Sequence, residues 1–273
     1  MAVAATKEYI LGKFAEVNAM TRKQRQEFMR DHYNATPGNL DPEEYDCKKC
    51  LNRGNIMVLD EDNDYQEHIV ECSCMLIRRS IWSAKASGLY TRLRRCDFPG
   101  YAVKEKWQQE MKDTAKAFAK AEGKPWLLLC GQSGSGKTHL ALAACGYKLA
   151  HRFETIRFLD WRNFNSLRED DPDKVSYQDA LDKALKAPIL FIDDLLKLEK
   201  GRTFYPSKEV EAAFQIINHR ENQDLQTLIS TELTPRQLLE VDEALGSRIL
   251  KKARDYTCTV EKDVKKNHRL HTR

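Results

Sequence analysis

The sequence predicts an α/β protein whose larger part is built on a five-stranded, mostly parallel sheet. Three observations carry that expectation. From Trp126 onward, short apolar runs alternate with helical stretches, the order that gives parallel strands covered by helices. A glycine-rich octapeptide, Gly131-Gln132-Ser133-Gly134-Ser135-Gly136-Lys137-Thr138, follows the first of those runs and opens a helical segment. A later run, Ile189 to Ile192, stops abruptly at two carboxylates, Asp193 and Asp194.

Taken in order, residues 1–45 read as a helical arm. Ile10, Leu11, Phe14 and Val17 recur at helical spacing between Lys7 and Met20. Thr21 is placed to cap a second helix through His32, which Pro37-Gly38 breaks. Residues 46–95 change character, with paired cysteines, an apolar stretch from Asn55 to Leu59 and an acidic turn from Asp60 to Asp64. A basic helical connector runs from about Met75 to Arg95. Residues 96–273 form the main domain, entered through the turn Phe98-Pro99-Gly100-Tyr101 and a helix from Trp107 to Ala121. Its strands are expected at Trp126–Cys130, Thr155–Leu159, Ile189–Ile192, Thr227–Ser230 and Tyr256–Val260.

Composition narrows the class. Hydrophobic residues make up 41% and charged residues 32% of 273, which suits a soluble protein with one good core and charged helical extensions. The net charge of +4 does not by itself announce a nucleic-acid binder. Arg78, Arg79, Lys85, Arg92, Arg94 and Arg95 cluster, as do the basic residues from Lys262 to Arg273; a phosphate-backbone contact and a solvated helix face both fit such runs. The first residues lack the charged start and apolar run of a signal peptide, and nowhere do about 18 apolar residues follow one another. A cytoplasmic protein with no membrane partner is therefore expected, its eight cysteines serving as thiols or metal ligands.

The octapeptide follows the G-x-x-x-x-G-K-T pattern. Gly131, Gly134 and Gly136 let the backbone curl so that its N–H groups face an anion, and the helix N-terminus adds a favourable dipole. Lys137 is expected to reach the β- and γ-phosphates of ATP, and the Thr138 hydroxyl to ligate Mg2+. Carboxylates at the end of a buried strand are costly unless they serve a cation in a cleft. Asp193 is accordingly read as the magnesium-side carboxylate and Asp194 as the group polarising the attacking water. Thr231 and Glu232 end the fourth strand and either contact that water or cap the helix beginning at Thr234-Pro235. Trp161, Arg162 and Arg168, after the second strand, are candidates for stacking and pairing with single-stranded DNA, or belong to an ordinary packed helix.

Cys47, Cys50, Cys72 and Cys74 supply four thiolates in two close pairs, C-x-x-C and C-x-C, workable for a tetrahedral zinc site. About 30 residues with few apolar side chains cannot build a core, so Zn2+ would supply the missing stabilisation. His68 is a substitute ligand, while Cys96, Cys130, Cys145 and Cys258 read as packing residues.

In sequence order, the segments Gly131 to Thr138 continuing through His139-Leu140-Ala141, Leu190-Phe191-Ile192-Asp193-Asp194-Leu195, Ile229-Ser230-Thr231-Glu232-Leu233-Thr234, Asp242-Glu243-Ala244-Leu245-Gly246-Ser247-Arg248-Ile249 and Asn267-His268-Arg269-Leu270 resemble the replicative helicase loaders of the DnaC/DnaI type, a branch of the AAA+ ATPases. The resemblance extends upstream to the cysteine pairs. It implies an AAA+ P-loop domain behind a small helical, zinc-binding region that binds the helicase. It also implies slow ATP hydrolysis used as a switch, self-assembly through the AAA+ domains, and a role loading a DnaB-type hexamer onto single-stranded DNA. Gly131 through His139 would hold the nucleotide, Arg248 would be a finger reaching the adjacent protomer's nucleotide, and Arg269 a sensor arginine. Many AAA+ proteins carry Asn where this chain has Glu232, and the commoner Glu where it has Asp194. The IstB-type transposition helpers, which bind DNA and a transposase, are the second family with this likeness.

Overall fold

The computed structural model describes residues 19–86, 88–93, 95–152, 154–170, 175–198 and 201–270. Most of the helix expected at Lys7–Met20 lies outside them. The chain divides into two units, residues 1–78 and 79–273.

In the first unit, α1 (Arg22–Ala35) begins where the sequence places its cap: the Gln24 N–H donates to Thr21 Oγ1 at 3.3 Å, and the Thr21 N–H donates to Gln24 Oε1 at 3.0 Å. No residue of α1 is buried. Polar contacts hold it instead, with Asn34 exchanging two hydrogen bonds with the Met57 backbone, at 3.0 and 2.9 Å. The stretch from Asn55 is one arm of an antiparallel hairpin, β1 (Asn55–Asp60) with β2 (Gln66–Glu71), joined by the acidic turn. Sequence periodicity conceals β2, because all six of its residues are exposed and no apolar alternation marks it.

Arg78 leaves neither reading of its basic cluster standing at that position. Its side chain is fully buried, donating to Asp41 O at 2.9 Å, Tyr45 O at 2.5 Å and Asn52 Oδ1 at 3.0 Å. It ties the loop before the first cysteine to the turn after the second. The connector is not one helix. It comprises α2 (Cys74–Ala86) and α3 (Leu89–Leu93), separated at Gly88.

The second unit continues with α4 (Lys106–Lys120), β3 (Leu127–Gly131), α5 (Lys137–Arg152), β4 (Ile156–Asp160), α6 (Trp161–Asp170) and α7 (Val175–Lys186). It ends with β5 (Ile189–Asp193), α8 (Ser207–Asn222), β6 (Gln226–Thr231), α9 (Pro235–Val241), α10 (Glu243–Lys252) and β7 (Thr257–Val260). The five strands lie in the order β4-β5-β6-β3-β7, and every pairing is parallel. Each residue of β3 and β5 is buried, because helices cover both faces of the sheet. Leu128 and Cys130 join the core under the later helices, while Leu127 and Leu129 join the one under α4 and α5. Trp161 belongs to the first of these, packed on Phe164 with ring centroids 5.6 Å apart, so it is not a stacking platform for bases. Arg162 is exposed, and the Arg168 side chain lies outside the described residues. No described helix is long and apolar enough to cross a membrane.

Arg220, on α8, is fully buried and donates to the carbonyls of Ala184 and Ala187 at 2.8 Å each and Gln226 at 2.6 Å, and to Thr227 Oγ1 at 2.9 Å. Burial draws its pKa down to about 9. The guanidinium thereby closes the α7–β5 and α8–β6 turns at one end of the sheet. Arg220→Met leaves several buried carbonyls without donors, and a loss of about 3 kcal/mol in denaturant-induced unfolding is expected; an unchanged midpoint would refute that role.

Candidate functional site

The carboxyl ends of β3, β5 and β6 converge on a cavity of about 320 Å³, lined by Ser133 to His139, Gly100 to Ala102, Asp194, Lys197, Glu232, His268 and Arg269. The loop after β3 curls tightly. Gly131 has φ +98°, and a Cβ there would sit 1.9 Å from Val260 O; one on Gly134, at φ +73°, would sit 2.0 Å from Asn267 Oδ1. Only glycine satisfies both the backbone angle and the close approach. The end of β7 and the segment after it seat the loop: the Gln132 N–H donates to Val260 O at 2.8 Å and the His268 N–H to Gly134 O at 2.9 Å.

Lys137 opens α5 with its ammonium folded onto the loop, donating to Gly131 O at 2.9 Å and Gln132 O at 2.7 Å. Burial lowers its pKa, a trend that the Glu232 and Asp194 charges oppose. Thr138 Oγ1 donates to Asp193 Oδ1 at 2.8 Å, joining the loop helix to the end of β5. Neighbouring oxygens around an octahedral magnesium lie about 2.9 Å apart, so this hydroxyl–carboxylate pair has the donor set and spacing for that ion.

Ser230, which sequence reasoning passed over, is central. Its Oγ donates to Asp193 Oδ1 at 2.5 Å and accepts from the Asp194 N–H at 3.0 Å. Burial raises the Asp193 carboxyl pKa, against the hydrogen bonds from Ser230 and Thr138. Asp194 adopts φ +58°, which turns its side chain toward the cavity lining. Thr231 does not face a water site: it is fully buried, and its hydroxyl donates to Leu195 O at 2.8 Å. Glu232 lies in the cavity wall within 2.7 Å of Lys197. Of the two expected arginines, Arg269 lines the cavity and Arg248 does not. Arg248 stands on α10, its Nε 3.2 Å from both Glu221 Oε2 and Asn218 Oδ1. His139 also lines the cavity, with Nε2 2.8 Å from Asp97 O and its ring beside Tyr101.

In the first unit, the sulfurs of Cys47, Cys50, Cys72 and Cys74 all lie within 4.8 Å of one another, and all four residues are buried. Cys47 and Cys72 approach to 3.8 Å, and Cys50 and Cys74 to 3.5 Å. A tetrahedron with Zn–S bonds of 2.3 Å has edges of about 3.8 Å, so the thiols match zinc in chemistry and spacing. Burial works to raise the Cys50 thiol, but the Gly54 N–H, donating to Cys50 Sγ at 3.3 Å, and the neighbouring thiols bring it down to about 7. His68 is exposed on β2 and outside the cluster.

Residues 102–252 match the family model described as the bacterial DnaA ATPase domain. The chain belongs to that family. The DnaA-type unit is an ATPase of the AAA+ P-loop fold. The chain is 30% identical to the phage-like element PBSX protein XkdC of Bacillus subtilis, over 86% of this chain and 90% of that one. It is 28% identical to YqaM, an uncharacterized protein of the same organism, over 80% of this chain and 72% of the other. Among solved structures it is similar to DnaI (20% identity, TM-score 0.47, 64% of this chain and 92% of that chain) and to the DnaC helicase loader (24%, 0.46, 63% and 99%).

For this DnaA-type ATPase, Lys137→Ala removes the ammonium beside the phosphate loop. ATP affinity and turnover are expected to fall at least about tenfold, since a charge-assisted hydrogen bond is lost. Equilibrium nucleotide titration checks this, and wild-type binding and turnover in that variant would overturn the role of the loop lysine.

Proposed function

We propose that this protein is an ATP-dependent loader of the replicative helicase onto single-stranded DNA, in which ATP binding and hydrolysis act as a switch. The observation that carries the reading is the combination in one chain of a DnaA-family ATPase unit and a separate four-thiol unit. The run of loader-type motifs from Gly131 to Leu270, in order, supports it. An ATPase acting alone on a small substrate has no use for the cysteine unit, and the transposition helpers are not expected to carry one.

In this reading Gly131 through His139, with Arg269, hold ATP, and Thr138 and Asp193 hold its Mg2+, which neutralises developing phosphate charge. Asp194 and Glu232 face the attacking water. Cys47, Cys50, Cys72 and Cys74 hold one structural Zn2+. The first unit receives the helicase, and the ATPase units assemble with one another.

Native mass spectrometry of the protein mixed with its host's helicase tests this directly. A defined complex with the hexamer, whose mass includes about one zinc ion per loader chain, is the expected result. No complex with or without ATP would refute the loader role and favour the transposition helper; complexes free of zinc would refute the metal site. Arg248 would act on the neighbouring protomer's nucleotide, so Arg248→Ala should leave ATP binding unchanged and slow turnover in the assembled state roughly tenfold or more. Equal assembled turnover in the variant would remove that role.

A further inference from the structure

The turn after β5 carries a lysine that the phosphate-loop pattern does not include. Lys197 Nζ lies 2.9 Å from Asp194 Oδ2 and 2.7 Å from Glu232 Oε1, so one ammonium joins the acid after β5 to the acid after β6. Its side chain is only 14% exposed, and it lines the same cavity as Lys137. The backbone beneath it is fixed. Leu195 and Leu196 are buried, the Leu195 N–H donates to Ser230 O at 2.9 Å, and the Lys197 N–H donates to Asp194 O at 3.1 Å. What remains adjustable is the four-carbon side chain itself.

Charge balance gives this arrangement its meaning. Two ammonium groups, of Lys137 and Lys197, and two carboxylates, of Asp194 and Glu232, face the cavity, and Arg269 adds a third positive charge to its lining. Lys137 donates to loop carbonyls, acceptors that a phosphate oxygen replaces. Lys197 is held by the two acids assigned to the attacking water, so its ammonium occupies the carboxylate oxygens that a water would use. Glu232 reflects this: burial acts to raise its pKa, but the hydrogen bonds from Lys197 and Ser133 turn the net shift downward.

We propose that Lys197 is a specificity-determining contact for the terminal phosphate of ATP, exchanging Asp194 and Glu232 for a γ-phosphate oxygen when a triphosphate binds. The proposal rests on the nucleotide reading of the cavity. A diphosphate leaves the ammonium on the two acids. A triphosphate draws it away, and Asp194 then accepts a hydrogen bond from water. One side chain thus couples recognition of the third phosphate to release of the base.

The test is binding of Mg-ADP and of Mg-AMPPCP, with steady-state ATP turnover, in the full chain carrying Lys197→Gln or Lys197→Arg. Lys197→Gln is expected to weaken AMPPCP binding about tenfold while leaving ADP within about twofold, and Lys197→Arg to restore most of the difference, the change expected for one charge-assisted hydrogen bond. Equal losses for both nucleotides would show a merely structural lysine and overturn the proposal, as would no loss for either. Should the glutamine variant fail to fold, the arginine variant decides by itself: it must keep its preference for AMPPCP over ADP. Lys137→Ala separates the two levels, because wild-type binding of both nucleotides there would sink the cavity reading rather than the role of Lys197.

Discussion

Asp193 sits at the end of a strand buried on both faces, with 7% of its surface exposed, and its carboxylate is held by hydroxyls from two other elements. A buried carboxylate without donors would cost several kcal/mol. Thr138 from the phosphate-loop helix and Ser230 from the neighbouring strand remove that penalty. In doing so they lock the loop, β5 and β6 into one geometry. The Ser230 oxygen then accepts from the Asp194 N–H, which holds Asp194 in its left-handed conformation. Asp194, and through it Lys197, takes its position from this exchange of hydrogen bonds around one carboxylate.

The two units solve the problem of stability differently. Residues 79–273 have enough apolar side chains to cover both faces of a sheet, and their polar exceptions, such as Arg220, are saturated by backbone carbonyls. Among its described residues, the first unit has little to bury. Its buried hydrophobic cluster consists of the four cysteines, with Tyr45, Ile56 and Met75 packed around them. Arg78 and Asn52 knit its loops together: Asn52 Oδ1 accepts from both Arg78 and the Cys47 N–H. Such a unit is organised by thiol and hydrogen-bond geometry, the situation in which a metal ion contributes folding energy outright.

Much of the fold was legible in the chain because burial on both faces leaves a plain signature. β3 and β5 stand out as apolar runs, whereas β7, Thr-Cys-Thr-Val, is only partly buried and carries a weaker signal; the glycine loop is legible because its backbone geometry excludes every residue with a Cβ at Gly131 and Gly134. Thr21 announced the start of α1 through its capping chemistry. The cysteine pairs were legible from spacing alone, since C-x-x-C and C-x-C each bring two thiols within reach of one metal ion. By contrast, β2 left no trace, because an exposed strand pairs through its backbone and needs no apolar pattern.

Residue order alone supplies the chemistry available: a glycine-rich loop, a strand ending in acids, four thiols, and the order in which they occur. Which neighbours these groups meet is settled by packing. Lys197 belongs to no short motif and Ser230 had no role assigned within its segment; their roles follow from strand order, which places β6 between β5 and β3. Packing withdrew Thr231 and Trp161 from the surface in the second unit, and the loops of the first unit did the same for Arg78, where composition had left all three eligible for ligands. Residue type sets what a side chain can do; the free-energy cost of leaving a buried polar group unpaired sets which partner it takes.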